Sequence, residues 1–188
     1  MQDDVNTGFK GQLVEPIEES EMQFGPFEEA NFCRLEKCEQ YLKLQKNMPM
    51  TEFVFYNEEK NRLISLEAKK SAPNPNSEKM EHPRERFQEY IQGICRKFEN
   101  SIDLYSSMAL KKELPEGFYR IDYKNLQVIL MLVIKNHEKD WLKDVKDALE
   151  LSVRQVLRLD KIWKCRVLVL NEEQAWKRGL VQGNEKSQ

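Results

Sequence analysis

The chain has 188 residues, 40% of them hydrophobic and 33% charged, with Gly and Pro at 7 each and a net charge of −2. That length suits one domain able to close a core without disulfide or metal staples, and the composition excludes collagen, coiled-coil arrays and a wholly disordered chain. Charge is uneven: residues 1–30 hold eight acids against the single base Lys10, so they carry −7 and the rest carries +5, a balance that permits a polyanionic partner without demanding one.

Residues 1–25 combine Gly, acids and few periodic apolar positions, so an acidic leader, mobile or loosely docked, is expected, with one short strand at Gln12-Leu13-Val14. From Pro26 the spacing turns helical. Pro suits a first turn, Glu28 and Glu29 suit the positive end of the dipole, and apolar positions run on to Leu42 before Asn47 and Pro49. The stretch from Phe32 to Glu36 also reads as extended, which leaves that boundary open. Two strands follow, Thr51 to Tyr56 and Arg62 to Lys69, joined by a polar linker over 57–61 short enough for a hairpin. The Pro- and Asn-rich residues 71–77 form a loop.

Residues 82–112 carry Phe87, Ile91, Ile94, Phe98, Ile102 and Tyr105 at helical spacing, one long core helix. Residues 126–135 are a near-continuous apolar strand suited to the middle of a sheet. An amphipathic helix from Glu138 to Leu159, a strand from Cys165 to Leu170 and a short helix from Glu172 to Arg178 complete the order. Strand–helix–strand at this spacing predicts a parallel pair with a right-handed crossover. The expectation is a single α/β domain over residues 26–180, with 181–188 a disordered tail. The longest apolar run, Val128 to Ile134, is far short of the ~20 residues a bilayer requires, and no apolar stretch follows the acidic opening Met1-Gln2-Asp3-Asp4. No membrane partner is expected.

The segment Leu66-Glu67-Ala68-Lys69 carries the chemistry. Side chains alternate along a strand, so Glu67 and Lys69 share one face, and a hairpin can bring Glu52 beside Glu67. Two neighbouring carboxylates repel unless a proton or cation lies between them. A hard divalent cation with oxygen ligands, Mg²⁺ or Mn²⁺, would satisfy both. Lys69 would then lie next to that ion, placed to orient a water or to stabilise charge developing on phosphorus.

This arrangement resembles the restriction-endonuclease-like, or PD-(D/E)xK, phosphodiesterases. Their pattern is an acid, a hairpin gap and then Glu-x-Lys or Asp-x-Lys, in an αβββαβ core whose central mixed sheet is flanked by helices. Here the match is Glu52, a gap of 15 positions and Glu67-Ala68-Lys69, over roughly residues 26–135, with an extra C-terminal helix–strand–helix. The resemblance implies that Glu52, Glu67 and the backbone carbonyl of Ala68 hold Mg²⁺ or Mn²⁺, with Glu36 as direct or water-bridged support and Glu39 next in line. It implies that Lys69 positions the attacking water for hydrolysis of DNA or RNA, leaving 5′-phosphate and 3′-hydroxyl ends. Arg34, Arg62 and Lys70 are the cations expected to meet the nucleic-acid backbone. A catalytically silent relative acting as an interaction module is the alternative, favoured by Glu52 standing where the pattern usually has Asp. Cutting both strands of a duplex often takes two sites, so a homodimer is compatible with the nuclease reading.

Cys33, Cys38, Cys95 and Cys165 form no CxxC pair, and only His82 and His137 could complete a zinc site, so reduced thiols in a cytoplasmic protein are expected. Arg84, Arg86, Arg96 and Lys97 interleave with Glu81, Glu85, Glu89 and Glu99 and read as a solvated helix face. Trp141, Trp163 and Trp176 read as core residues. There is no G-x-S-x-G element and no phosphate-binding glycine loop.

Overall fold

In a computed structural model, residues 11–44, 48–157 and 164–183 are described. Their centre is a five-stranded mixed sheet of strand order β5-β6-β7-β8-β9, and the fold class is α/β. The two strands of the expected hairpin are β6 (Phe53–Asn57) and β7 (Arg62–Lys69), paired antiparallel from Asn57↔Arg62 to Phe53↔Leu66. Strand β8 (Gln127–Ile134) lies parallel to β7 along its whole length, and β9 (Arg166–Asn171) lies parallel to β8. The apolar run of β8 is accounted for by this central place, which buries it on both faces.

One face of the sheet is covered by α2 (Pro83–Lys111) and α3 (Leu142–Val156). Ile94, Phe98 and Tyr105 of α2 and Val145 and Leu149 of α3 pack there against Leu63, Leu130, Leu132 and Val169. On α3 the charged residues of residues 143–154 take the outer side, as an amphipathic helix requires. The predicted start of this helix at Glu138 is instead a 3-10 turn over Lys139–Trp141, and Leu159 lies outside the described residues.

The other face is covered by the N-terminal segment, which differs from the expectation for residues 1–25. Strand β1 (Leu13–Val14) pairs with β4 (Phe27–Glu28), and β2 (Ile17–Glu19) pairs with β3 (Met22–Phe24) in a tight hairpin. Ile17, Met22 and Phe24 are buried against Phe53, Leu66 and Met131, so the segment is part of the core and not a loosely docked leader. Its acidic side chains face out while every second residue faces in, a period-2 signal only three residues long. Residues 1–10 lie outside the described residues. The hairpin turns at Ser20 and Glu21, both at positive φ (51° and 62°), the pair of left-handed positions that a two-residue turn uses to match strand twist.

The helix expected from Pro26 to about Leu42 is also replaced. Pro26 follows a cis peptide bond, and the chain runs through β4, a 3-10 turn at Glu29–Asn31, β5 (Phe32–Cys33), a second 3-10 turn at Leu35–Lys37 and only then α1 (Glu39–Lys43). The cause is an aromatic cluster: Phe27, Phe32, Phe53 and Phe55 have ring centroids 4.9–6.3 Å apart, which extended segments can assemble and one helix face could not.

The C-terminal α4 (Glu172–Trp176) opens with a capping box, in which the Asn171 side chain accepts from the Gln174 N–H. Beyond it Leu180 and Val181 are buried, Val181 bridges to Phe24, and the Gln182 N–H donates to the Gln23 carbonyl. Residues 181–183 are therefore ordered against β3 and not part of a disordered tail; 184–188 lie outside the described residues. Trp141 and Trp176 are exposed and not core, and Trp163 is outside the described residues. No helix among the described residues is long and apolar enough to cross a membrane.

Candidate functional site

The hairpin register decides which side chains meet. Phe53 pairs with Leu66 at the end of the ladder, and the Glu52 N–H donates to the same Leu66 at its carbonyl, 3.0 Å away, which holds Glu52 just ahead of β6 and near Glu67. Leu66 and Phe53 face the N-terminal layer, so Glu52, Glu67 and Lys69 all face α2. Glu67 is fully buried and the Glu52 side chain is 15% exposed. Lys69 Nζ lies 2.7 Å from Glu67 Oε1, as the shared face predicts.

A second ammonium enters from α2. Lys97 Nζ lies 2.8 Å from Glu67 Oε1 and 3.9 Å from Glu52 Oε1, with its side chain 18% exposed. This residue was expected on a solvated face. The signal that could have found it is its place among Tyr90, Ile94 and Ser101, at spacings of three and four on the buried side of the helix. The Tyr90 hydroxyl is buried beside this group, and neither it nor Glu67 Oε2 has a hydrogen-bond partner among the described residues. Beneath the pair, buried hydroxyls bind the strands to the helix. The Thr51 N–H donates to Ser101 Oγ at 2.8 Å, and Thr51 Oγ1 lies 2.9 Å from Ser65 Oγ and 3.0 Å from Ser101 Oγ.

Burial and then the neighbouring charge of Glu67 push the Glu52 carboxyl up to about 7, with Glu19 adding to the shift and Lys97 opposing it. Burial pushes Glu67 up as well, against the pull of Lys97 and Lys69. For Lys97, burial works against its charge, but the two carboxylates outweigh it and hold the ammonium above its ordinary value. Two carboxyls held above their ordinary range thus lie against Lys97, a constellation suited to exchange a proton or that ammonium for another cation.

The Ala68 carbonyl has an open side. Leu66 O is taken by Glu52 N, toward β6, while Lys69 O accepts from Lys135 N, toward β8. Carbonyls alternate along a strand, so Ala68 O points to the β6 side, past the end of the ladder, on the edge where Glu52 lies.

The remaining predicted residues divide. Glu36 is exposed in the 3-10 turn before α1, and its charge is felt at Glu52 and Lys97, so it stands at the rim and not among the ligating atoms. Glu39 pairs instead with Lys43 on α1 at 2.9 Å. Arg34 is beside the site but ion-paired to Glu19, and Lys70 pairs with Glu21 at 2.6 Å. Lys135 joins Glu21 as well, donating to its backbone oxygen at 3.0 Å. The β2–β3 hairpin thereby sets two carboxylates on the cations expected to meet phosphates. Arg62 is not brought to the site: it opens β7, five residues or about 16 Å from Glu67.

Among the described residues, no group of three or more His, Cys, Asp or Glu side chains has the arrangement of a metal site. Compared with protein-family models, with curated proteins and with solved structures, the chain finds no match.

Proposed function

We propose that this chain is a divalent-metal-dependent phosphodiesterase acting on nucleic acid. The observation that carries the reading is that Glu52, just ahead of β6, and Glu67 of β7 share the Lys97 ammonium, with Lys69 on the same face and the Ala68 carbonyl on the same edge. The donor set fits a hard cation: Glu67 Oε2 is buried without a partner, and a carbonyl oxygen and a second carboxylate lie on the same edge. Glu52, Glu67 and the Ala68 carbonyl would hold Mg²⁺ or Mn²⁺, which supplies charge neutralisation and activation of water when bound. Binding there would compete with the proton that burial favours on Glu52. Lys69, a third exposed, lies where it can orient water and donate to a phosphoryl oxygen. The run β5–β6–β7, then α2, then β8 parallel to β7 also supports the reading, as it follows the βββαβ part of the expected core. The helix expected before these strands has no counterpart ahead of β5 among the described residues; α1 falls between β5 and β6.

One observation favours the silent alternative: Lys97 Nζ already provides the cation between the carboxylates. The two readings part in a Mn²⁺ titration of the parent, Glu67→Ala and Lys97→Met, followed by cleavage assays on DNA and RNA. A site present in the parent and lost in Glu67→Ala, with metal-dependent cleavage, upholds the phosphodiesterase. Metal binding that appears only in Lys97→Met identifies a protein in which the lysine has replaced the metal.

A further inference from the structure

Past the Glu52–Glu67 pair, at the carboxyl ends of the parallel strands, lies a cleft that the proposed chemistry does not use. The Lys135 N–H donates to the Lys69 carbonyl and the Asn136 N–H to the Lys70 carbonyl, both at 2.9 Å, so the chain leaves β7 and β8 in two adjacent loops. Pro73 and Pro75 of the first loop and His137 and Trp141 of the second line a cleft of about 150 Å³, with Phe87 of α2 and Asp144 of α3 completing its walls. Phe87 stands one turn, about 4.5 Å of helix rise, before Tyr90, whose hydroxyl is buried beside Glu67. The cleft therefore opens roughly one helical turn from the carboxylate pair.

Its walls are flat and in part exposed. Trp141 is 45% exposed, while Phe87, Pro73, Pro75 and His137 are half-buried. The Trp141 and His137 rings have centroids 6.1 Å apart and planes at 77°, so a planar ligand stacked on the indole stands almost at a right angle to the imidazole. The first loop is braced from within: the Asn76 N–H donates to Asn74 Oδ1 at 2.8 Å, and the Ser77 N–H donates to the Asn74 carbonyl at 3.2 Å.

Polar groups on the walls narrow which planar molecule fits. Asp144 accepts hydrogen bonds and repels a phosphate. Burial holds the His137 imidazole below its ordinary value, so the ring is uncharged near neutral pH. Its Nε2 is buried without a partner among the described residues. An exposed indole beside an acceptor suits a nucleobase with an exocyclic amino group, whose ring stacks while the amino group donates. Thymine and uracil suit it less, because their one N–H is flanked by two carbonyls that a carboxylate repels.

We infer that this cleft is a base-binding subsite, in which an amino-bearing nucleobase of the substrate strand stacks on Trp141 and donates to Asp144 while its backbone runs past Lys69 to the carboxylate pair. The inference rests on the phosphodiesterase reading for the identity of the strand. Trp141 is a binding residue in it and not a catalytic one.

The test removes one base at a time. Single-stranded DNA and RNA oligonucleotides, intact or abasic at successive positions, are titrated against the parent, Trp141→Ala and Trp141→Phe by fluorescence anisotropy in Ca²⁺, and cleavage is followed in Mn²⁺. The expected result is one position, near the bond cut, where loss of the base lowers affinity for the parent about tenfold. Adenine, cytosine or guanine at that position should bind several-fold more tightly than thymine. Trp141→Ala should hold the intact strand as weakly as the parent holds the abasic one, and Trp141→Phe should restore most of the difference. No binding of either strand, no sensitive position, or a sensitive position that Trp141→Ala leaves unchanged overturns the subsite, as does thymine bound as tightly as the amino-bearing bases. Should Trp141→Ala not fold, the abasic series on the parent still decides. Cleavage without a sensitive position overturns the subsite and leaves the phosphodiesterase standing. A sensitive position that depends on Trp141, with no cleavage, upholds the base site and removes the phosphodiesterase.

Discussion

Replacing Lys97 by Met removes one of two ammoniums from a carboxyl that has no access to water. At 2.8 Å and an effective dielectric near 20, that pair attraction is about 6 kcal/mol, which sets only an upper scale because both charges were desolvated to make it. Breaking a buried pair costs roughly 3–5 kcal/mol when the remaining charge has nowhere to go. Glu67 has two escapes: it keeps Lys69 at 2.7 Å, itself a third exposed, and it can take up a proton. Protonating a carboxyl whose ordinary value is 4.5 costs about 5 kcal/mol at about pH 8 and under about 1 kcal/mol at about pH 5. Lys97→Met should therefore lose about 2–3 kcal/mol near pH 8, and less than about 1 kcal/mol near pH 5.

The sign follows from linkage. Removing Lys97 leaves burial less opposed, so the folded state binds the Glu67 proton more tightly than the unfolded state. Stability is then full at low pH and falls as pH rises through the folded value. Urea denaturation of parent and variant at both pH values measures this directly. A loss of equal size at the two pH values would refute the reasoning, since packing around a Met depends little on pH. Adding Glu67→Gln should erase most of the pH dependence.

The raised Glu52 carboxyl makes metal loading proton-coupled: Mn²⁺ affinity should climb with pH up to about 7 and then level. Calorimetry in buffers of different ionisation enthalpy checks it, and a pH-independent affinity would take Glu52 out of the ligand set. Ser101→Ala leaves the buried Thr51 N–H without its acceptor and should cost about 1–3 kcal/mol in urea denaturation. Glu21→Gln weakens the ties to Lys70 and Lys135, so oligonucleotide affinity by fluorescence anisotropy should rise several-fold at low salt and converge with the parent at high salt. Unchanged affinity at low salt would remove those two lysines from the nucleic-acid interface.

The part of the site formed by the hairpin was legible because two constraints coincide in it. The turn residues 58–61 fix Asn57 opposite Arg62, and the two-residue period carries the register to Phe53 and Leu66, the neighbours of Glu52 and Glu67. The contribution of α2 was hidden for the opposite reason. Lys97 belongs to a helix whose charged residues mostly face water, and only the fold tells which of its cations has its stem turned inward. The strand at Leu13–Val14 and the extended reading from Phe32 hold, while residues 15–31 were hidden because strands of two or three residues show no periodicity, and Phe27, Ala30 and Asn31 stand at helical spacing although Phe27 is in extended backbone. The same N-terminal stretch delivers Glu19 and Glu21 to Arg34 and Lys70, which no local pattern announces.

The pairing of Phe24 with Val181 bears on how the chain is made. Gly25 donates to the Leu180 carbonyl and Gln182 to the Gln23 carbonyl, so the last piece of the second face is stitched to nearly the first. During synthesis from the N-terminus, Phe24 emerges about 160 residues before its partner, a wait of roughly 8–30 s at ordinary translation rates. Through that interval Met22 and Phe24 lack both the central strands and the C-terminal strap that will cover them. The acids at 15, 18, 19 and 21 flank these apolar residues, the placing that gatekeeper charges take beside a hydrophobic strand that must wait for its cover.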